Sequence, residues 1–427
     1  MIGLLAQVAD PGDPLFEKGV SFISTVFLIV VIKALVAFVV LLVGVMLMVW
    51  FERKVISDMQ DRIGPNRAGP WGLLQTLADG TKLFFKENLY PEQADKAVFR
   101  LAPYLSAVPA FLTFCVIPVG GTVHWFGHTW NLQVADPPIG VLFSLAISGI
   151  AVYGIMLAGW SSGSKYPLLG SVRATAQMVS YEAAMGLAVA TVVLKSGSLR
   201  TGTIVAQQID ERVVGRLSIG WLTGWNVIAL GFIPAVIFAI AGTAELNRPP
   251  FDLVEAESEL VGGFHTEYSS ARFAFFYLAE FMNTITMSAL IITLFLGGPI
   301  GPDTGIWGLH RLSPVWFLIK LLVLLFCYVW IRGTLPRFRY DQLMDLGWKK
   351  LIPAALFWLL LIATIRLNGD RTTRLMHVVI AIAAAGLGAT VLRLAMRRGR
   401  EQTDAEHAAA AAKTLRGAGS SSRPGRF

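Results

Sequence analysis

The sequence predicts an all-α protein that crosses a lipid bilayer many times. Of its 427 residues, 55% are hydrophobic and only 15% are charged, whereas a soluble protein carries about 25% charged residues. Many apolar stretches approach or exceed the length of about 20 residues with which an α-helix crosses a bilayer. These observations predict a polytopic membrane protein with about nine transmembrane helices and one interfacial amphipathic helix.

The predicted spans follow one another along most of the chain, with polar loops between them. Segment 72–87 lies after the first span, and it is apolar on one face and charged on the other. Because it is too short to cross, it predicts a helix in the plane of the membrane interface. The spans are predicted at 22–51, 99–120, 139–160, 172–194, 219–244, 270–297, 313–332, 350–366 and 376–396.

Charge sets the expected orientation. The chain holds 36 Lys and Arg against 28 Asp and Glu, and loops rich in Lys and Arg face the cytoplasm. We therefore expect the N-terminus to lie outside and the C-terminus to lie in the cytoplasm. The sequence has no basic patch interleaved with aromatic residues of the kind that would indicate nucleic-acid binding.

The expected regions are an outer segment at 1–21, a membrane core at 22–366, an extra C-terminal transmembrane helix at 367–396 and a disordered basic tail at 397–427.

Cysteine and histidine positions bear on redox and metal chemistry. Cys115 and Cys327 both lie in apolar segments, and an iron–sulfur cluster takes about four thiolates. His124 and His128 lie in a short loop without an acidic or thiol neighbour to complete a metal site. The sequence therefore predicts neither a redox centre nor a metal site in this chain, so partner subunits would supply any electrons.

A dense run of carboxylates interrupts this otherwise basic protein between two predicted spans. Closely spaced carboxylates repel one another when ionised, so we expect some to hold protons near neutral pH, as a proton relay requires. Arg248 is the basic residue among them, and Glu182 and Glu280 add carboxylates inside spans, where ionisable groups are functional candidates. The run contains Glu245, Asp252, Glu255, Glu257, Glu259 and Glu267.

The pair Pro249-Pro250 forbids a continuous helix through this run. A broken backbone at membrane level is tolerated where it lines a cavity or is buried in protein. A solvated charged face is the plainer interpretation of the carboxylates, but it leaves the helix break and Glu280 unexplained. We therefore favour a functional interpretation of the run.

The loop after the first span is rich in Gly and Pro and contains Arg53 and Arg62. A fixed arginine at a membrane surface suits a polar head group such as a quinone carbonyl. Asp79 on the amphipathic helix either belongs to that site or forms a surface ion pair with Lys82, three residues later. A second basic loop at 332–344 either docks an acidic partner or fixes the topology.

These loops together resemble the H-subunit family of the bacterial NADH:quinone oxidoreductase, respiratory complex I. The resemblance implies a location in the bacterial plasma (inner) membrane. The resemblance covers residues from about 20 to about 366, with its motifs in the family's order. The motifs are ERK at 52–54, GPNRAGPWGLLQTLADGTKLFFKE at 64–87, RATAQMVSYE at 173–182, AELNRPPFDLVEAESELVGGFHTEYSSARFAFFYLAEF at 244–281 and RGTLPRFRYDQLM at 332–344.

The resemblance implies eight membrane helices, a quinone channel shared with peripheral-arm partner subunits, and a proton path into the membrane arm. Menaquinone or ubiquinone would be the substrate, while FMN and iron–sulfur clusters would belong to partners, which also include small membrane subunits. Positions near the quinone channel match Arg53, Arg62 and Asp79. Proton-path positions match Glu182, Glu245, Arg248, Asp252, Glu255, Glu257, Glu259, Glu267 and Glu280.

The chain also departs from the family pattern. Ile63 stands where many members have Lys, and His265 stands where many have Asn; that histidine could titrate near physiological pH. The ninth span and the basic tail exceed the family's eight helices. Three alternatives remain open: the related membrane subunit of a membrane-bound hydrogenase, an independent ion transporter, and a structural assembly scaffold.

Overall fold

The computed structural model describes residues 22–125, 128–210, 224–253, 260–301 and 313–367. Within these ranges, seven helices are long and apolar enough to cross a membrane, which confirms the predicted polytopic α-helical fold. The predicted span at 376–396, the N-terminal segment and the tail lie outside the described residues. The chain divides into two compact units, Met1–Leu343 and Met344–Phe427.

Twelve α-helices and one hairpin make up the regular structure of the described residues. In chain order they are α1 (Phe22–Met59), α2 (Gln75–Phe85), α3 (Lys96–Phe114), β1 (Thr122–Trp125), β2 (His128–Asn131), α4 (Gly140–Ser161), α5 (Lys165–Ser196), α6 (Thr201–Asp210), α7 (Asn226–Ala229), α8 (Phe232–Glu245), α9 (Ser270–Phe295), α10 (Ser313–Thr334), α11 (Tyr340–Asp345) and α12 (Ile352–Leu367). Short 3₁₀ turns add Pro70–Gly72 and Gly263–His265, and a π-helical turn adds Leu346–Leu351.

Helix α9 lies at the centre of the first unit, with 83% of its most apolar stretch buried. Three of its hydroxyl groups are satisfied within the helix: Thr284, Ser288 and Thr293 each donate to the carbonyl four residues earlier. Helices α1 and α10 are peripheral, because only 11% and 22% of their apolar stretches are buried. Their apolar outer faces fit contact with lipid.

Small residues let α3, α4 and α5 pack closely. A Cβ added at Gly154 of α4 would meet the hydroxyl of Ser106 and the carbonyl of Ala102 on α3. A Cβ at Gly170 of α5 would lie 2.8 Å from the Cα of Gly263. Close backbone approach at small residues is the usual way in which membrane helices associate. The second contact places the 3₁₀ turn Gly263–His265 directly against α5.

Two predictions about local structure were wrong. The span predicted at 219–244 is not one helix, because Gly231 adopts φ 76° between α7 and α8. The 14 residues of α8 rise about 21 Å, less than the roughly 30 Å hydrocarbon core. The segment with His124 and His128 is a β-hairpin rather than a loop, and His124 pairs with Thr129.

The second unit contributes α12 and the π-helical turn before it. Lys349 pairs with Asp345 at 2.9 Å across one turn. The helix agrees with the span predicted at 350–366.

Candidate functional site: a buried charge cluster at one end of the bundle

The helix break predicted at Pro249-Pro250 is present and buried. Helix α8 ends at Glu245, and Asn247 follows with φ 52°. Gln177 of α5, which is fully buried, holds this turn by donating from Nε2 to the carbonyls of Ala244 at 2.7 Å and Phe251 at 2.9 Å. The broken backbone is therefore fixed to α5, as expected for a break at membrane level.

Arg248 lies just after the break and joins two helices by ion pairs. It is 3% exposed, and its Nη1 donates to Oε2 of Glu52 at the end of α1 over 2.7 Å. Its Nε lies 3.1 Å from Oε1 of Glu280 on α9, in ion-pair range but without hydrogen-bond geometry. The guanidinium also lies 4.3 Å from the ring centre of Phe281. Buried charges need such pairing because desolvation disfavours them.

The second basic loop supplies two more arginines to this cluster. Arg332 pairs with Glu52, which is thereby shared between two arginines. Arg337 Nη2 donates to buried Asp252 at 2.9 Å, and the amide of Phe338 donates to the carbonyl of Pro250. These two arginines thus pair with carboxylates of the same chain.

Glu245 is the least compensated carboxylate of the cluster. It is 8% exposed, and its Oε2 has no hydrogen-bond partner among the described residues. The hydroxyl of Ser148 and the carboxylate of Glu182 are its interacting neighbours. Glu182 lies 17 residues into α5, about 25 Å along the helix. The two membrane carboxylates therefore interact with each other, and neither forms an ion pair within the described ranges.

Two cavities meet at Glu245 and Asn283, which line both of them. The larger cavity, of about 70 Å³, is also lined by Asp252, His265 and Glu280. The smaller cavity, of about 30 Å³, extends between α4, α8 and α9 past Ser148. A water molecule needs about 10–15 Å³ of such space and two or more polar partners. Both cavities therefore have the size and lining to hold water beside Glu245.

His265 and Glu267 lie in the turn that leads into α9. His265 lines the larger cavity, is partly exposed, and packs edge-on against the rings of Phe264 and Phe273. Burial lowers the pKa of His265 to about 4, so the imidazole is neutral at pH 7. This corrects our expectation that it titrates near physiological pH. Glu267 is partly exposed and is not among the residues that line the cavity.

The residues expected near a quinone channel are only partly brought together. Arg53 Nη1 donates to Asp79 at 2.7 Å, and this pair joins α1 to the amphipathic helix α2. Lys82 also approaches Asp79, at 4.0 Å, so both interpretations of Asp79 have support. Arg62 is exposed. Among the described residues, Asp79 pairs with Arg53 and Lys82 and not with Arg62.

Comparison with known proteins assigns the family. The family model described as NADH dehydrogenase matches residues 32–363. The Frankia casuarinae protein named as the H subunit of NADH-quinone oxidoreductase is 48% identical over 394 residues, 90% of this chain and 84% of that protein. Proteins of the same name from Frankia alni and Streptomyces avermitilis are 51% identical over 363 residues and 50% identical over 351 residues. These matches cover 84% and 79% of this chain, and 77% and 73% of the respective relatives.

The chain belongs to the H-subunit family of NADH-quinone oxidoreductase. The structure describes the family's acidic segment only in part, because Glu255, Glu257 and Glu259 lie outside the described residues. Three described acidic residues lie together, because the larger cavity is lined by Glu245, Asp252 and Glu280. Arg248 pairs with Glu280, and Arg337 pairs with Asp252. Ile63, one departure from the family pattern, is 85% exposed.

Four members of the cluster were not among the predicted site residues. Glu52 and Arg332 were noted in loop motifs, and each looked like an ordinary charge at the end of a membrane span. Arg337 had no partner that sequence alone could name. Gln177 carries no charge, and its function follows from the position of the α8 break. The sequence feature that could have indicated these four residues is the high density of polar residues in the motifs that contain them.

Proposed function

We propose that this protein is a membrane subunit of a proton-pumping NADH:quinone oxidoreductase and links quinone reduction to proton translocation. The proposal extends to this chain what the relatives' names say of those proteins. In it the chain carries no redox centre, and iron–sulfur clusters in partner subunits deliver the electrons. Quinone, either menaquinone or ubiquinone, is the substrate of the assembled enzyme.

One observation carries the coupling part of the proposal. Glu245 is a buried carboxylate without an ion pair among the described residues, and it lies between two cavities. Asp252 and Glu280 line the same larger cavity, but they are paired with Arg337 and Arg248. Unpaired burial favours the protonated form of a carboxylate, whereas an adjacent arginine favours the ionised form. Such an arrangement of one neutral and two ionised groups suits proton transfer.

The proposed coupling step is electrostatic. Negative charge that develops on the quinone head group during reduction would attract the arginines and weaken their ion pairs, Arg248 with Glu280 and Arg337 with Asp252. Because Arg248 contacts both Glu52 and Glu280, a shift in its position changes two pairs at once. Protons would then redistribute among Glu280, Glu245 and Glu182 towards neighbouring membrane subunits. In the proposed orientation, the N-terminus lies outside and the charge cluster faces the cytoplasm.

The quinone channel is the second part of the proposal. Its support is the Arg53–Asp79 pair between α1 and α2, with exposed apolar side chains nearby on α2. Leu77, Phe84 and Phe85 are 50%, 65% and 87% exposed. An arginine held beside apolar surface at the membrane interface offers a donor for a quinone carbonyl and a path for its isoprenoid tail.

The other three functions have less support. A hydrogenase-type subunit would have the acidic loop, but the three relatives at about 50% identity all carry the name of the NADH-quinone oxidoreductase H subunit. An independent transporter predicts internal repeats, and the sequence has none. An assembly scaffold predicts that carboxylate substitutions act through stability alone.

The test is NADH:quinone oxidoreduction in membranes that carry Glu245→Gln, with NADH:ferricyanide activity as the control for assembly. We expect quinone-linked proton pumping to fall while ferricyanide reduction and complex assembly persist. The substitution keeps the shape of the side chain and removes its titration. Normal pumping in the assembled variant would contradict the coupling role of Glu245.

A further inference from the structure

We propose that His265 is a proton-transfer residue. It carries protons between solvent at the surface of the turn Gly263–His265 and the larger cavity, which Glu245 also lines. The inference rests on the proposed function and names the entry point of its proton path. It starts from the cavity of about 70 Å³, which His265 and Glu245 both line.

The position of His265 links the cavity to the surface. The imidazole lines the cavity but is partly exposed, and its neighbours Val261 and Thr266 are exposed. The turn itself is fixed, because Gly263 packs against Gly170 of α5 and Thr266 Oγ1 donates to the carbonyl of Gly263. His265 therefore lies at a rigid boundary between solvent and cavity.

The chemistry of a neutral imidazole suits this position. One ring nitrogen of neutral histidine donates a hydrogen bond and the other accepts one. A proton taken from loop-side water by the accepting nitrogen can leave from the opposite nitrogen to cavity water. It can then reach Glu245 once that carboxyl has passed its own proton on towards Glu182. Rotation of the ring then restores the starting tautomer. Each transfer breaks one N–H or O–H bond and forms another, so no further reactant is required.

The groups that line the cavity set the resting state of the imidazole. Asp252 and Glu280 face it as carboxylates paired with Arg337 and Arg248, and the Tyr277 side chain also lines it. The parts of α4 and α5 that line the cavity contribute the apolar Ala151, Ile155 and Met178. The apolar walls and ring contacts keep the resting imidazole neutral. The low pKa of His265 is consistent with this resting state.

The experiment uses the whole complex in membranes and compares His265→Ala, His265→Asn and Glu245→Gln. We expect proton pumping by both His265 variants to fall by about tenfold or more, because a positioned proton-transfer group contributes about 10²–10⁴-fold. NADH:ferricyanide activity should stay unchanged. Added imidazole should restore pumping in His265→Ala, and methylated imidazoles of different pKa should restore it to different degrees. Imidazole should not restore pumping in Glu245→Gln.

The outcomes separate this inference from the proposed function. Normal pumping in the His265 variants beside impaired Glu245→Gln would overturn the inference and leave the function standing. Normal pumping in all three variants would overturn both. Full activity of His265→Asn beside an impaired, unrescued His265→Ala would show that hydrogen bonding rather than proton transfer matters, and would also overturn the inference.

Discussion

Two polar clusters at opposite ends of the same helices differ in how completely their hydrogen bonds are satisfied. Near the C-terminal ends of α5 and α9, away from the charge cluster, both the oxygen and the nitrogen of the Gln208 side-chain amide form hydrogen bonds. Gln208 lies on α6. Its Oε1 accepts from the amides of Asn226 and Gly297, and its Nε2 donates to the carbonyls of Ile204 and Thr293. Lys320 similarly donates to three carbonyls at the end of α9. We call these residues the outer cluster.

The charge cluster near the α8 break is less complete. Within the described residues, Glu245 Oε2 and Arg248 Nη2 are buried without hydrogen-bond partners, and cavities adjoin Glu245. Buried polar groups normally have partners, since each unsatisfied group costs about 1–3 kcal/mol. The difference indicates that the outer cluster fixes structure, whereas the charge cluster retains groups that can exchange protons.

The largest effect on stability is expected from Arg248→Met. The substitution leaves Glu52 and Glu280 without this buried partner, and breaking a buried ion pair from one side costs about 3–5 kcal/mol. We expect little assembled complex in membranes and a much lower inactivation temperature. Arg248→Lys, which keeps one charge, should lie between this variant and wild type. Wild-type assembly of Arg248→Met would mean that the charge cluster is not held by this arginine.

The next effect is expected from Gln208→Leu in the outer cluster. It removes four hydrogen bonds and leaves buried backbone groups unsatisfied, at about 1–3 kcal/mol per group. The inactivation temperature of the complex should fall. Proton pumping per electron in the surviving complex should match wild type. A changed proton-to-electron ratio would contradict the structural assignment of this cluster.

A smaller effect concerns the pH dependence of stability. Because the pKa of His265 lies near 4 in the folded protein and near 6.5 when exposed, the folded state binds fewer protons between these values. Stability contributed by this residue is therefore lost as pH falls from about 6.5 towards 4. Inactivation temperatures of His265→Asn should fall less steeply with pH than those of wild type. Parallel pH curves would show that burial of this imidazole does not affect stability.

The smallest effect on stability is expected from Arg53→Leu. The Arg53–Asp79 pair is partly exposed, and pairs at the surface contribute about 0–1 kcal/mol. If Arg53 binds the quinone head group, the KM for quinone should rise about tenfold, which corresponds to one charge-assisted hydrogen bond. Lys82→Leu, which removes the weaker partner of Asp79, should leave the KM unchanged. Equal effects of the two substitutions would argue against a specific role for Arg53.

Sequence predicted the membrane fold well, because about 20 apolar residues are a direct consequence of bilayer thickness. It also located the α8 break, since Pro249-Pro250 excludes a helix. It missed the separate break at Gly231, where a single glycine adopts positive φ. A lone glycine is common within membrane helices and carries little signal by itself.

The candidate site was predicted in composition but not in pairing. Carboxylate density marked Glu245, Asp252 and Glu280, yet their different partners depend on loops brought together by the fold. Arg337 is 85 residues from Asp252 in sequence, and Glu52 is 196 residues from Arg248. Local patterns contain no information about such pairs. The cavities were also beyond prediction, because they depend on the packing of α4, α5, α8 and α9.

The most direct test of the difference between the two clusters is the number of protons pumped per electron in Glu245→Gln beside Gln208→Leu, both measured with NADH and quinone in sealed membranes. We expect a lower ratio for Glu245→Gln with the complex intact. For Gln208→Leu we expect a wild-type ratio despite lower stability. A wild-type ratio in Glu245→Gln, or a lower one in Gln208→Leu alone, would contradict the assignment of proton coupling to the charge cluster.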